Sequence, residues 1–357
     1  MATHVLVLLG TKKGAFLLEG DAARTTWQLR GPFCEAWPIY HMTYDETSQA
    51  IYAGGGNPWF GPAVWRSPDR GATWSHSGAG LTYGEAGPTL NTIWHITPTP
   101  DVLYAGAEPA GLFASVDQGA TWTHVAGLRE HPSSAQWQPG YGGLCLHSIV
   151  AHPTDKDRLW VAISSVGTFA TEDGGATWVT RNQGVRAEFS PERYPEYGQC
   201  VHKLLLAADG AQLYQQNHCG VYRSDDGGVH WQEITAGLPS DFGFPLALHP
   251  RDPNTLYVVP LNGADRGRYV PEGRMIVWRS ADRGDSWTPQ TQGLPAEHAY
   301  LSVLREGMAV DTLDPMGMYV GTSTGHVFGS SDEGESWQQI CTNLPPILSV
   351  ETALVEL

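Results

Sequence analysis

Long apolar runs are missing from this 357-residue chain, and no segment approaches the roughly 20 residues that a helix needs to cross a bilayer. A membrane partner is not expected. Basic residues are scarce: 21 Lys and Arg stand against 37 Asp and Glu, for a formal charge of −16. So acidic a chain cannot neutralise the phosphates that supply most nucleic-acid affinity, which excludes nucleic acid as a partner. Cysteine is sparse as well. Five residues, an odd number scattered over the chain, do not make a disulfide framework, and reduced thiols are expected. The apolar start Val5 to Leu9 is too short, and too soon followed by Gly10, for a secretory signal; it reads as a strand in a cytoplasmic protein.

Turn formers are abundant. With 42 Gly, 25 Pro and 14 Trp, the composition suits many short strands joined by turns. One eight-residue signature recurs at Ser67–Trp74, Ser115–Trp122, Thr171–Trp178, Ser224–Trp231, Ser280–Trp287 and Ser330–Trp337. A seventh copy ends in Thr26-Trp27 and reads as having lost its Ser, Asp and Gly. The terminal tryptophans return every 47 to 56 residues, a period that signals a repeat architecture. Each unit supplies an apolar strand, a turn, a strand such as Ile51–Gly54, a third such as Ala63–Arg66, the signature, and a fourth strand starting at its Trp. Four strands per unit at this period make a propeller blade.

The signature resembles the Asp-box, or BNR repeat, of sialidases and many other propellers, and the likeness extends over the whole chain. It implies an all-β, seven-bladed β-propeller, residues 1–357 forming one domain, with the Asp satisfying backbone N–H groups, the Gly supplying a permissive φ and the Trp packing between blades. A calcium loop is disfavoured because the spacing lacks the bidentate Glu of an EF-hand. The segment Ser349–Leu357 matches the first strand of a unit whose second strand is Val5 to Leu9, so the two ends of the chain are expected to close the ring as one blade. Sialidase activity does not follow from the signature. Sialidases carry an Arg-Ile-Pro motif among three arginines that clamp the substrate carboxylate, and no such motif occurs here.

The functional face is expected opposite the signatures, where long loops interrupt the repeat: Gly54–Pro62, Arg129–Leu144, Gly184–Cys200 and Asn262–Arg274. Trp59, Phe60, Trp137, Tyr141, Tyr194 and Tyr197 in these loops suit pocket walls. Alignment of the innermost strands on His152-Pro153, His249-Pro250 and Asp311 puts His41, His95, His147, His202, Phe244, Glu306 and Glu351 at matching positions. Four imidazoles from adjacent blades could converge on the axis and hold a divalent transition metal (Zn, Fe, Mn, Cu or Ni), with Glu306 and Glu351 as general base or as partners of the imidazole N–H groups. That arrangement is similar to the four-histidine iron site of carotenoid oxygenases, in geometry alone. The competing reading is histidines that bind ordered water and neighbouring backbone. Cys145-Leu-His147 and Cys200-Val-His202 repeat one pattern, with His218-Cys219 on the same side; a soft metal site, a redox pair, a nucleophile and plain thiol packing all suit it. Arg66, Arg223 and Arg279 precede signature serines and suit surface ion pairing.

Three function classes follow. The favoured one is a metal-dependent hydrolase, lyase or oxygenase acting on a small polar molecule at the channel mouth. The second is a carbohydrate-binding or glycosidase-like protein in which Trp59, Trp137 and Tyr141 stack on sugar faces and two of Glu35, Glu85, Glu108 and Asp241 work as an acid pair. The third is a scaffold for a protein partner, with an exposed patch and no metal.

Overall fold

Alternating apolar strands and obligatory turns give a computed structural model of seven four-stranded antiparallel sheets arranged in a ring. It describes residues 3–57 and 59–356; Met1, Ala2, Pro58 and Leu357 lie outside the described residues. Blade 1 combines Ile347–Glu356 with Thr3–Thr11, Gly14–Asp21 and Trp27–Phe33, and the remaining blades follow in chain order. The closure expected from the two chain ends is present, with Val5 opposite Leu354 and Val7 opposite Thr352. The first strands of blades 2 to 7 are Ile39–Asp45, Thr92–Pro98, Leu146–Ala151, Val201–Leu206, Gly243–Leu248 and Met308–Val310. Each touches the first strand of the next blade, and Ile347–Glu356 completes the circle against Ile39–Asp45, so these strands surround the axis.

One aromatic residue in each of blades 2 to 7 sets the register. Tyr52, Tyr104, Trp160, Tyr214, Tyr257 and Tyr319 lie on second strands, each opposite the residue that precedes the signature Ser or Thr. All six are buried between neighbouring sheets, where a large ring fills the widening wedge from the axis to the rim. A one-residue slip would turn every one of them to the wrong face, which fixes the ladder.

The signature turns use their residues as the sequence implies. In blade 2, Asp69 Oδ1 accepts the backbone N–H of Thr73 at 2.8 Å, its Oδ2 accepts the Thr73 hydroxyl at 2.6 Å, and Ser67 Oγ accepts the N–H of Gly71 at 2.7 Å. Gly71 has φ +85°, a conformation that favours glycine. The seventh copy corrects the sequence reading. Its aspartate is retained as Asp21, which accepts the Thr25 N–H at 2.7 Å and the Thr25 hydroxyl at 2.9 Å. One additional residue before Trp27 hides it from an alignment anchored on tryptophan.

The loops are more ordered than expected. Most of the Gly54–Pro62 segment is paired strand, at the facing ends of Ala50–Asn57 and Gly61–Ser67, and Arg129–Leu144 contains a 3-10 turn, Ser134–Gln136. Arg223 and Arg279 form the expected surface pairs, with Asp225 at 3.4 Å and Glu335 at 3.1 Å, whereas Arg66 bonds the Gln118 amide oxygen instead. No described helix is long and apolar enough to cross a membrane.

Candidate functional site

A β-bulge in the first strands decides which side chains reach the axis. In blades 2 and 3 the ladder pairs Ile39 with Gly55 and His41 with Gly54, then Ile93 with Ala107 and His95 with Gly106, leaving Tyr40 and Trp94 as the additional residues. In blades 4 and 5 it pairs Leu146 with Ile163 and Ser148 with Ala162, then Val201 with Asn217 and Lys203 with Gln216. There the additional residues are His147 and His202. Counted from the signature, Ser148 and Lys203 therefore match His41 and His95, while His147 and His202 match Tyr40 and Trp94. A bulge re-aims side chains in this way; because it falls at the same ladder step in all four blades, it shows that the expected four-histidine alignment is out of register by one residue between blades 2 and 3 and blades 4 and 5.

The histidine ring consequently does not form. His41 and His95 stack at the axis, ring centroids 4.0 Å apart, and meet Glu306 and Lys203. His147 is turned between blades, its Nε2 against the carbonyl of Val201 at 2.9 Å and its Nδ1 against Ser148 Oγ at 3.1 Å. Both nitrogens are in use, so this imidazole has none left for a metal. His41 accepts the backbone N–H of Ile96 on Nδ1 at 3.2 Å, which puts its proton on Nε2, facing Glu351 at 3.5 Å and Glu306 at 3.8 Å. A protonated nitrogen cannot ligate.

The axial cluster is a buried electrostatic plug. Glu306 is fully enclosed, and burial alone would raise its pKa; the Lys203 ammonium, His95 and His41 reverse this and hold the carboxyl well below the usual range. Burial first, then His41, push the His95 imidazole down to about 4, so it is neutral at pH 7. The cluster also blocks the channel: Glu306 faces the loop-rich side, and Glu351 faces the opposite mouth beside Lys203.

Above the plug lies a cavity of about 330 Å³. The bulge residues Tyr40, Trp94 and His202 line it together with Phe244, and three of the four long loops contribute walls through Tyr141, Phe189 and Arg268. The Trp94 indole donates to Glu108 Oε2 at 2.9 Å, and the Arg305 guanidinium lies over its ring at 5.1 Å. Arg268 similarly covers Tyr141 at 5.1 Å. One wall is thiol and imidazole: Cys200 Sγ lies 3.5 Å from His202 Nε2, beside His218. Burial would raise the Cys200 pKa, but His218, Ser165 and Arg305 lower it below the ordinary value. In the matching pattern, Cys145 accepts Arg305 Nη1 at 3.2 Å, and burial keeps its pKa raised.

The structure divides the candidates. Tyr141 and Glu306 border the cavity, whereas Trp59, Trp137 and Glu351 do not. Trp137 is only 7% exposed, packed on Phe169 with its indole donating to Ser133 Oγ at 2.9 Å, so it is core rather than a sugar platform. Trp59 is 87% exposed at a hairpin tip away from the cavity lining. Glu35, Glu85, Glu108 and Asp241 do not line it either; Asp241 faces Arg186 at 3.6 Å. Sequence reasoning missed Lys203, Arg268 and Arg305. Lys203 and Arg305 directly adjoin His202 and Glu306 in the sequence, and the bulge after Val201 is what turns Lys203 rather than His202 to the axis.

With this geometry, the chain resembles carbohydrate-active propellers. No protein-family model matches it. It is 28% identical over 312 residues to a xyloglucanase of Hypocrea jecorina, covering 75% of this chain and 34% of that protein. A xyloglucanase of a Paenibacillus species is 29% identical over 257 residues, covering 63% and 23%. The chain thus spans about a third or less of these relatives' length. Among solved structures, the GH74 xyloglucanase of Xanthomonas campestris superposes with a TM-score of 0.67 at 18% identity, over 94% of this chain and 52% of that one. The periplasmic gluconolactonase of Pseudomonas aeruginosa gives 0.61 at 13% identity over 99% of both. These likenesses show a β-propeller with xyloglucanases among its relatives.

Proposed function

We propose that the chain is a carbohydrate-recognising, glycosidase-like propeller whose saccharide ligand occupies the axial cavity. One observation carries the reading: aromatic rings from Tyr40, Trp94, Tyr141, Phe189 and Phe244 converge on one cavity with the guanidinium groups of Arg268 and Arg305. Apolar faces that stack on sugar rings, with a few placed donors for hydroxyl or carboxylate oxygens, are what a saccharide pocket needs. The xyloglucanase relatives support a carbohydrate ligand. The metal-dependent reading centred on four histidines loses its geometric basis, since two of them have no free nitrogen for an ion.

Recognition is favoured over hydrolysis within this cavity. Glycoside hydrolysis ordinarily uses two carboxyl groups about 5 to 9.5 Å apart flanking the bond. Among the described residues Glu306 is the one carboxylate lining the cavity, and it is buried and paired with Lys203. Calorimetric titration with xyloglucan oligosaccharides, after a glycan-array screen, tests the reading. Binding that disappears in Trp94→Ala and Arg305→Ala is expected. An array with no hits, or binding indifferent to both substitutions, overturns it.

A further inference from the structure

The geometry points to a zinc site in blade 5, formed by Cys200, His202 and His218 and open to the axial cavity. It stands independently of the carbohydrate reading. One hairpin holds all three ligands: Cys200 immediately precedes the strand Val201–Leu206, His202 sits in its bulge, and His218 follows the paired strand Leu213–Asn217. The His218 N–H donates to the Cys200 carbonyl at 2.9 Å, which closes the hairpin mouth and fixes the spacing of the side chains. A site on paired strands of one sheet needs no loop to order around the ion.

The distances suit zinc. Tetrahedral bonds of about 2.3 Å to sulfur and 2.0–2.1 Å to nitrogen require a sulfur–nitrogen edge of about 3.5 Å. Cys200 Sγ and His202 Nε2 are 3.5 Å apart, and one ring nitrogen of His218 completes a set whose atoms all lie within 4.8 Å of one another. His218 supplies the third vertex. Cavity-side access leaves the fourth for water or a ligand oxygen, as in catalytic zinc sites.

Hydrogen bonding has already assigned the tautomer. His202 donates Nδ1–H to the carbonyl of Gly243 at 2.5 Å, so its Nε2 lone pair faces Cys200. A carbonyl on the distal nitrogen is the usual outer partner of a metal-bound imidazole. The second group of ligand-type residues, His41, His95 and Glu306, fails this test, because His41 points a proton inward and Lys203 already supplies the positive charge. Around the proposed ion, Ser164 and Ser165 hydroxyls approach Cys200 Sγ at 3.8 and 3.7 Å. Phe244 packs on His202 with centroids 4.5 Å apart, and Phe189 and Phe242 pack edge-on against His218 at 5.2 and 4.9 Å, which restrains both rings. The nearby Arg305 cation is drawn toward Cys145 Sγ, 3.2 Å away. Binding displaces the Cys200 thiol proton to solvent, and the soft thiolate selects zinc over magnesium or calcium.

The test uses the full chain, freed of any histidine tag and stripped with chelator, titrated with cobalt(II) and then zinc. One equivalent of cobalt should bind with a thiolate-to-cobalt charge-transfer band that zinc abolishes, and zinc should protect Cys200 from iodoacetamide in the unmodified sequence. Cys200→Ser should lose the band, His218→Ala should lose stoichiometric binding, and Ser165→Ala should weaken it by roughly tenfold. Cys145→Ser should retain it. Absence of saturable cobalt or zinc binding, a band that survives Cys200→Ser, or alkylation of Cys200 unaffected by zinc overturns the site. Saccharide titration of the stripped protein separates this outcome from that of the carbohydrate reading.

Discussion

Lys203 and Glu306, 103 residues apart in sequence, form a buried ion pair beneath the cavity floor, joining blades 5 and 7 across the axis. Removing either partner leaves an uncompensated charge in a buried site. Glu306→Leu and Lys203→Met should each destabilise the fold by about 3–5 kcal/mol in denaturant titration, and the double variant Lys203→Met/Glu306→Leu should recover most of that loss. A double-variant loss equal to the sum of the two single losses would show that the pair is not coupled.

Acid should weaken the signature turns. Asp69, Asp117, Asp173 and Asp282 have lowered pKa values because the hydroxyl four residues on, and then its backbone N–H, bond the carboxylate; for Asp117 and Asp173 the value is about 2. A depressed folded-state pKa gives stability that is complete above the unfolded value of 3.8 and lost as pH falls toward 2. The stability gap between wild type and Asp173→Ala should therefore be constant near neutrality and close between about pH 4 and about 2. Thermal melts at stepped pH check this, and a gap independent of pH would contradict it.

The tryptophans should separate by location. Trp137→Ala should cost about 3–5 kcal/mol of stability, because it empties a buried aromatic site against Phe169. Trp59→Ala should leave both stability and saccharide affinity within error. Trp94→Ala should abolish saccharide binding while costing less stability than Trp137→Ala, since Trp94 is only partly buried. Parallel melts and titrations of the three variants decide the matter.

His147 gives a test of the bulge itself. His147→Ala leaves the Val201 carbonyl without its imidazole partner and should destabilise by about 1–3 kcal/mol without altering cobalt uptake. Loss of cobalt in a folded His147→Ala protein would restore a larger histidine site.

The architecture was legible because its determinants are local and repeated. Each signature carries its own turn chemistry, and each Trp marks a fixed distance along the chain, so seven blades and the closing strand could be counted from Trp27 to Trp337. The axial chemistry was legible only in part. Phase along a strand has period two, and a register error of one residue between blades 2 and 3 and blades 4 and 5 exchanges the residue that faces the axis for its neighbour. No composition rule marks the bulge that would have fixed the register, because it carries Tyr40, Trp94, His147 and His202 alike. Trp137 misled for a related reason: a tryptophan in a long loop looks available, yet its loop folds inward over Phe169.

Blade 1 takes its axial strand, Ile347–Glu356, from the far end of the sequence, and its other three begin at Thr3. During translation Thr3–Thr11 must wait with one flank of N–H and C=O groups unsatisfied until the last strand emerges. At ribosomal speeds of about 5–20 residues per second that interval is on the order of tens of seconds. For that time the nascent blade is an open ribbon able to capture a foreign strand, and the strand Ile347–Glu356 acts as its latch.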